Sequence, residues 1–384
     1  MKKTLLALAV FGAFAGAASA QSSVTLYGRL DAGIGRSDPK NGRVSDVDAT
    51  TGLFGGTQAG NRFGLRGSED LGGGLRAIFQ LENGFNIDTG TLGQSDASNN
   101  RLFGRQAYAG LAGGFGTVVL GRLAAFSSGT GAFDKFGDLD PFRTGVGNLG
   151  FQATMASANS LRLDNAVAYL TPNLAGFSAG VGYSFRAGGQ ELAGGTSSNN
   201  AGYVSYANYS AGPLYVVVTY DSFKLGEVAA VPALDIGEDP RQSHLQVGAS
   251  WDFKFIKVSA AYANESKQFA LGPAGISFAN TVTGTSTSGG ALQAAGTDAT
   301  AFALGVVVPL GAHRFAGSYQ SRTADSIRTN EEGKRTVWTV GYEYSFSRRT
   351  NAYAYFGQVN DKDGYQIGNW GGVGQMFAGL NHSF

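Results

Sequence analysis

Two sets of charged residues in this chain could do chemistry. Arg29, Arg62, Arg66, Arg76, Arg105, Arg122 and Arg162 are spread along the first part of the sequence, and Asp134, Asp138 and Asp140 crowd together shortly before the last of them. Guanidinium keeps its charge at any relevant pH, so the chemistry on offer is electrostatic rather than proton transfer or bond making. A wall of such cations facing carboxylates across water would set up a transverse field, in which each pair at about 10 Å and an effective dielectric of about 20 contributes roughly 1–2 kcal/mol. A field of that kind orients dipolar solutes and sorts ions by sign. Local pairing of single arginines with Asp31, Glu69 or Glu82 is the competing arrangement.

Other chemistry finds little support. His244, His313 and His382 stand far apart, and none has the spacing of a metal site or of a Ser/His/Asp set. Neither a metal nor a cofactor is expected, and no catalytic residue. The glycine-rich stretches 72–74 and 113–116 resemble phosphate-cradling loops superficially, but no helical pattern follows them and they read as turns. Cysteine is absent, which excludes disulfides and thiolate sites. The formal net charge is +1 with Lys2 and Lys3 included, so nothing argues for a nucleic-acid partner.

Strands must position the charged residues. Val24, Leu26, Leu30, Ala32 and Ile34 alternate with Thr25, Arg29 and Asp31; Phe63 and Leu65 with Arg62 and Arg66; Leu75, Ala77, Phe79 and Leu81 with Arg76, Gln80 and Glu82. Later segments repeat the pattern, as in Leu245, Val247, Ala249, Trp251 and Phe253 against His244, Gln246 and Ser250. Each such segment has one apolar and one polar face. About sixteen can be counted, near residues 23–35, 61–69, 74–86, 101–112, 115–123, 162–171, 176–187, 201–211, 213–224, 242–253, 255–266, 299–309, 312–323, 335–346, 350–359 and 374–384. The segments near 101–111, 201–210 and 301–308 show no clear facing.

Connections alternate between short turns, such as Pro172-Asn173 and Gly212-Pro213, and long polar stretches, such as 36–60, 187–200, 225–241 and 267–298. The stretch from Phe126 to Leu161 differs from the other long ones. It is too long for a structureless loop in a compact domain, and it carries Phe126, Phe133, Phe136, Leu139, Phe142, Leu149 and Phe151, which a solvated linker would lack. Its expected place is inside a barrel, facing the arginines.

Lys2 and Lys3, an apolar run from Leu5 to about Phe14, and Ala18-Ser19-Ala20 form the pattern of a secretory signal peptide over residues 1–20. After it no apolar run is long enough for a transmembrane helix. Glycine supplies 60 of the 384 residues and aromatics 12%, which suits many strands and turns. A soluble sandwich would place the arginine faces outside and seal the apolar faces together. In a membrane barrel the apolar faces meet lipid and the arginines line water, since closure satisfies the backbone of a sheet in hydrocarbon. Short turns on one side, long loops on the other and aromatics at strand ends (Phe85, Tyr183, Phe185, Tyr344, Phe346, Phe384) favour the barrel.

Several blocks carry a family resemblance: Ser23-Val24-Thr25-Leu26-Tyr27-Gly28, Arg62 to Leu75, Arg105 to Tyr108 with Phe115 to Arg122, Arg162 to Tyr169 with Pro172-Asn173, Ser347 to Thr350, and Gly379 to Phe384. Together they resemble the Gram-negative general porins of the β-proteobacterial type. The resemblance implies an all-β fold: a sixteen-stranded antiparallel transmembrane β-barrel over residues 21–384, whose third external loop, about 124–161, folds inward as a constriction. It also implies a homotrimer in the outer membrane, contact with outer-membrane lipids and lipopolysaccharide, and a terminal Phe384 that signals to the barrel-assembly machinery. Arg143 and Ser383 depart from the family pattern. The function implied is passive diffusion of small hydrophilic solutes and ions, filtered by size and by the Arg/Asp field, and the basic strand wall leans it to a weak anion preference; a solute-specific channel, with Tyr353 and Tyr355 as a faint aromatic slide, and a sealed surface scaffold are the rivals. Acids in the long stretches (Asp38, Asp46, Asp48, Asp235, Glu238, Asp239, Glu331, Glu332) could instead repel anions before entry.

Overall fold

A computed structural model describes residues 23–39, 49–94, 101–142, 149–155, 162–187, 201–224, 241–268, 297–326, 332–363 and 373–384. Its strands are β1 (Ser23–Pro39), β2 (Thr50–Gly55), β3 (Arg62–Gly72), β4 (Leu75–Gly84), β5 (Gln106–Gly113), β6 (Gly116–Leu123), β7 (Leu163–Leu170), β8 (Phe177–Ser184), β9 (Gly202–Ala211), β10 (Leu214–Lys224), β11 (Arg241–Asp252), β12 (Lys257–Gln268), β13 (Thr297–Leu310), β14 (His313–Ser326), β15 (Glu332–Ser345), β16 (Thr350–Asp363) and β17 (Val373–Ser383). Every neighbouring pair in chain order from β3 to β17 is antiparallel, and β1 pairs with β17 from Arg29↔Ser383 to Pro39↔Val373. The sheet therefore closes on itself and leaves no long edge for another chain to extend.

Although seventeen strands are present among the described residues, the barrel has sixteen staves. β2 pairs with the far half of β1 (Ala32↔Gly55 to Ser37↔Thr50) and β3 with its near half (Ser23↔Ser68 to Arg29↔Arg62), so the two share one stave broken between Gly55 and Arg62. The polar stretch 36–60, expected as a connection throughout, instead contains the strand β2. Asp31 holds the break together. It is buried; its Oδ2 accepts the backbone N–H of Gln58 (2.6 Å) and Ala59 (2.7 Å), and its Oδ1 accepts the Tyr353 hydroxyl (2.6 Å). A carboxylate has the lone pairs to serve several donors at once, which suits an interruption of the strand ladder.

Alternation sorts the surface as expected. Val24, Leu26, Ile34, Leu304, Trp251, Val340, Phe356 and Leu380 are exposed on the outside, whereas Asp31, Glu82, Gln246, Gln320 and Thr339 are buried on the inside. An exposed band of this kind is stable against lipid. Among the described residues no helix is long and apolar enough to cross a membrane. The turn between β3 and β4 puts Gly72, Gly73 and Gly74 at φ of 86°, 61° and 79°, the left-handed region the sequence pattern called for.

The stretch after β6 packs against the inner wall, on the side of β9 to β16. It contains a 3-10 turn (Gly137–Leu139) and a one-turn helix α1 (Gln152–Met155). Phe136, Leu139, Phe151 and Met155 join the inward-facing Val217, Ala261, Ala301 and Ala303 in one cluster, and Phe142 and Leu149 join Val337, Tyr353 and Tyr355 in another. Four wall glycines leave room for it. A Cβ on Gly248, Gly305, Gly341 or Gly357 would lie 2.1, 2.4, 2.7 or 2.6 Å from Leu139, Pro141, Phe142 or Leu149 respectively. Residues 1–20, read as a signal peptide, lie outside the described residues, as do Arg143, Asp46, Asp48, Asp235, Glu238, Asp239 and Glu331.

Candidate functional site: a basic wall inside the barrel

Register places five of the seven named arginines at one level. Arg29 faces Arg62 across β1 and β3; Glu82 of β4 faces Gln106, the residue after Arg105; Arg122 of β6 faces Ala107; and Arg162 directly precedes Leu163, which faces Leu123. Arg66 lies four residues along β3 from Arg62, about 13 Å nearer the short turns at a strand rise of about 3.3 Å per residue. Arg76 faces Asp70 beside the short turn itself, as far again from the cluster. Arg105, whose facing the sequence left unclear, points inward because it sits just ahead of β5, where alternation does not yet bind it.

The cluster is braced by two carboxylates. Glu82 receives Arg105 at 2.7 Å and Arg62 at 3.7 Å. Asp164, which sequence reasoning missed, pairs with Arg122 and takes Arg101 at 2.9 Å. Further donors find neutral acceptors: Arg29 Nε to Ser383 Oγ (3.2 Å), Arg62 Nη1 to the Gly60 carbonyl (3.1 Å), Arg122 Nε to the Gly104 carbonyl (2.8 Å) and Arg162 Nε to the Arg105 carbonyl (3.1 Å). Burial first, and then the neighbouring guanidiniums of Arg105 and Arg122, press the Arg162 pKa below its ordinary value; guanidinium stays charged even so. Arg29, Arg62, Arg105 and Arg162 thus gather near Glu82, and Arg122 and Arg101 around Asp164 beside them. Of the local pairings weighed from sequence, Glu82 takes two arginines, while the acceptors of Asp31 serve backbone and neutral side chains.

The three loop acids divide by task. Asp134 accepts the backbone N–H groups of Gly129 (2.7 Å), Gly137 (2.8 Å) and Phe136 (3.3 Å), and burial raises its pKa to about 7. Asp140 is buried and accepts Phe142 N–H and Phe151 N–H, both at 2.8 Å. These two carboxylates therefore tie the segment to itself, because a non-repetitive backbone inside a protein must find acceptors for its amides. Asp138 is exposed, and its carbonyl accepts Lys257 Nζ at 2.8 Å.

The opposite wall grips the segment with side chains that sequence reasoning did not single out. Thr339 Oγ1 donates to the Leu149 carbonyl (2.7 Å), Ser259 Oγ to the Leu139 carbonyl (2.7 Å) and Gln246 Nε2 to the Met155 carbonyl (2.7 Å). Arg314 joins Glu343 to the Pro141 carbonyl, and Arg322 joins Glu265 to the Thr154 carbonyl. Their strand parity was the available signal. Tyr353 and Tyr355, considered as an aromatic slide, are 3% and 2% exposed and are hydrogen-bonded to Asp31 and Glu343, so no solute can stack on them. Phe384 closes the ring: its N–H and C=O exchange hydrogen bonds with Gly28 at 3.1 Å, and its ring occupies the space a Gly28 Cβ would need.

A closed sixteen-stave barrel that is apolar outside and lined within by arginines and polar side chains belongs to the outer-membrane channels. The Gram-negative porin family matches residues 6–364, and the chain belongs to that family. An outer membrane porin protein of Bordetella pertussis is 38% identical over 378 residues, covering 92% of this chain and 93% of the relative. Outer membrane porin protein 32 of Delftia acidovorans is 32% identical, covering 96% and 92%. Among solved structures, an anion-selective porin from Comamonas acidovorans superposes with a TM-score of 0.71 at 25% identity, covering 95% of this chain and all of that one. The protein is a porin of the Gram-negative outer membrane, a channel for passive diffusion.

Proposed function

We propose that this porin passes small hydrophilic solutes and ions with a preference for anions. The observation that carries the reading is the single level at which Arg29, Arg62, Arg105, Arg122 and Arg162 meet, with Arg101 beside them and Glu82 and Asp164 as the bracing acids. Such an excess of fixed positive charge in a narrow aqueous section concentrates anions and repels cations. The inserted residues 126–142 and 149–155 narrow the passage from the opposite side and set the size limit. Asp138 is the loop acid that faces water, so the transverse field is weaker than three carboxylates would make it. The anion selectivity stated for the Comamonas acidovorans relative agrees with this sign.

The same reading takes residues 1–20 as the secretion signal, Phe384 as the mark read during barrel assembly, three copies as the working unit, outer-membrane lipids and lipopolysaccharide as its surroundings, and no enzymatic activity. Zero-current potentials of the purified protein in planar bilayers under a salt gradient test the selectivity. The potential should fall on the anion side; a potential on the cation side would refute it.

A further inference from the structure

Between the barrel wall and the inward-folded segment lies a buried histidine that the basic wall does not use. His244 of β11 is 1% exposed and stands in direct cross-strand register with Asp221 of β10 and Glu265 of β12. Its Nδ1 is 3.9 Å from Asp221 Oδ2 and its Nε2 is 3.5 Å from Glu265 Oε1, and neither nitrogen makes a hydrogen bond among the described residues. Each flanking acid holds one limb of the segment. Asp221 accepts the Ser127 hydroxyl at its beginning; Glu265 accepts both terminal nitrogens of Arg322, whose Nη1 also donates to the Thr154 carbonyl (3.1 Å) near its end.

We propose that His244 is a proton-binding clamp: protonated, it bridges Asp221 and Glu265 and fastens both limbs of the inward-folded segment to the wall. A neutral imidazole has one N–H and one lone pair, so between two carboxylates it must turn the lone pair toward an anion. The imidazolium has two N–H groups, one for each acid, in charge-assisted hydrogen bonds. Charge balances as well. The groups facing His244 are Asp221 from β10 and Glu265 from β12, with Arg322 from β14 on the far side of Glu265 and the neutral Ser127 and Thr154 from the segment. One cation against two anions leaves a net −1 that bound H⁺ cancels. The step is uptake of one proton from water, with no other bond made or broken. Because the proton strengthens the folded arrangement, the clamp is engaged when His244 holds its proton and released when it gives the proton up. Imidazole is the side chain whose ordinary charge change falls between about pH 5 and about pH 8.

The inference rests on the reading of residues 126–142 and 149–155 as the narrowing element of the channel, and the experiment separates the two. Single-channel recordings of the reconstituted protein, from about pH 5 to about pH 8, count brief partial closures as the segment moves. Their frequency should rise about tenfold with pH in the unaltered protein, one unit of proton linkage. In an Asp134→Asn background, which removes the other carboxyl of the segment that titrates in this range, His244→Gln should make it high and independent of pH, and Asp221→Asn should make the rise smaller. His313→Gln, on the outer face, should behave like the unaltered protein. Equal pH dependence with and without His244 overturns the clamp while the channel reading stands; absence of any current overturns the channel reading. A histidine NMR signal that disappears in His244→Gln and shows a neutral ring throughout the range would also overturn the clamp.

Discussion

Arg162→Gln isolates one charge of the basic wall. The side chain donates to the Arg105 carbonyl and sits beside Arg105 and Arg122 without an acid of its own in contact, so its loss removes one positive charge and relieves repulsion. For an ion on the axis about 8 Å away in water, one charge is worth about 0.5 kcal/mol, which favours an anion and disfavours a cation by roughly 2.4-fold each. The anion-to-cation permeability ratio should therefore fall about sixfold in dilute salt. At about 0.1 M the Debye length is about 10 Å, which leaves a fall of about twofold. Zero-current potentials in planar bilayers, measured at both ionic strengths, read this directly. An unchanged ratio at low salt would refute the reasoning, and so would a change that does not shrink as salt is added.

Other outcomes follow from packing and hydrogen bonding. Gly305→Val puts a branched side chain where a Cβ already meets the Pro141 ring at 2.4 Å; the segment should lift from the wall and single-channel conductance should rise. Asp31→Ala leaves the amides of Gln58 and Ala59 and the Tyr353 hydroxyl without acceptors, at roughly 1–3 kcal/mol each, so the barrel should unfold at clearly lower temperature. Asp134 has its pKa raised to about 7 by burial, so the stability it lends is present below its unfolded value near 4 and fades as pH rises through about 7. Protection factors of the Gly129 and Gly137 amides, taken relative to the base-catalysed rate of a free amide, should fall across that window, and Asp134→Asn should abolish the fall.

The legible strands were those whose two faces meet different solvents. β1 and β11 alternate cleanly because Leu26 and Val247 face outward, while Asp31 and Gln246 face inward. Two of the three ambiguous segments fail for one physical reason. In β9 the inward Val204 and Tyr206 pack with Phe126, and in β13 the inward Ala301 and Ala303 lie in the cluster of Leu139 and Met155. Where the inserted segment covers the wall, the inner face is apolar or small, and the period-two contrast vanishes. The same segment explains the acids: sequence shows charges at Asp134 and Asp140 but not the amides that consume them. Asp164 and Arg101 escaped notice because their pairing joins residues 63 apart, with Arg101 outside any regular strand. The broken stave escaped because its geometry depends on Asp31, whose partners come from three separate parts of the chain.

The account depends most on which face of each strand looks into water, and the absence of native cysteine makes this directly accessible. Arg66→Cys and Val340→Cys, reconstituted in bilayers, can each be exposed to a charged, membrane-impermeant thiol reagent while current is recorded. Stepwise loss of current for Arg66→Cys and none for Val340→Cys is the expected result. The reverse pattern would contradict the account.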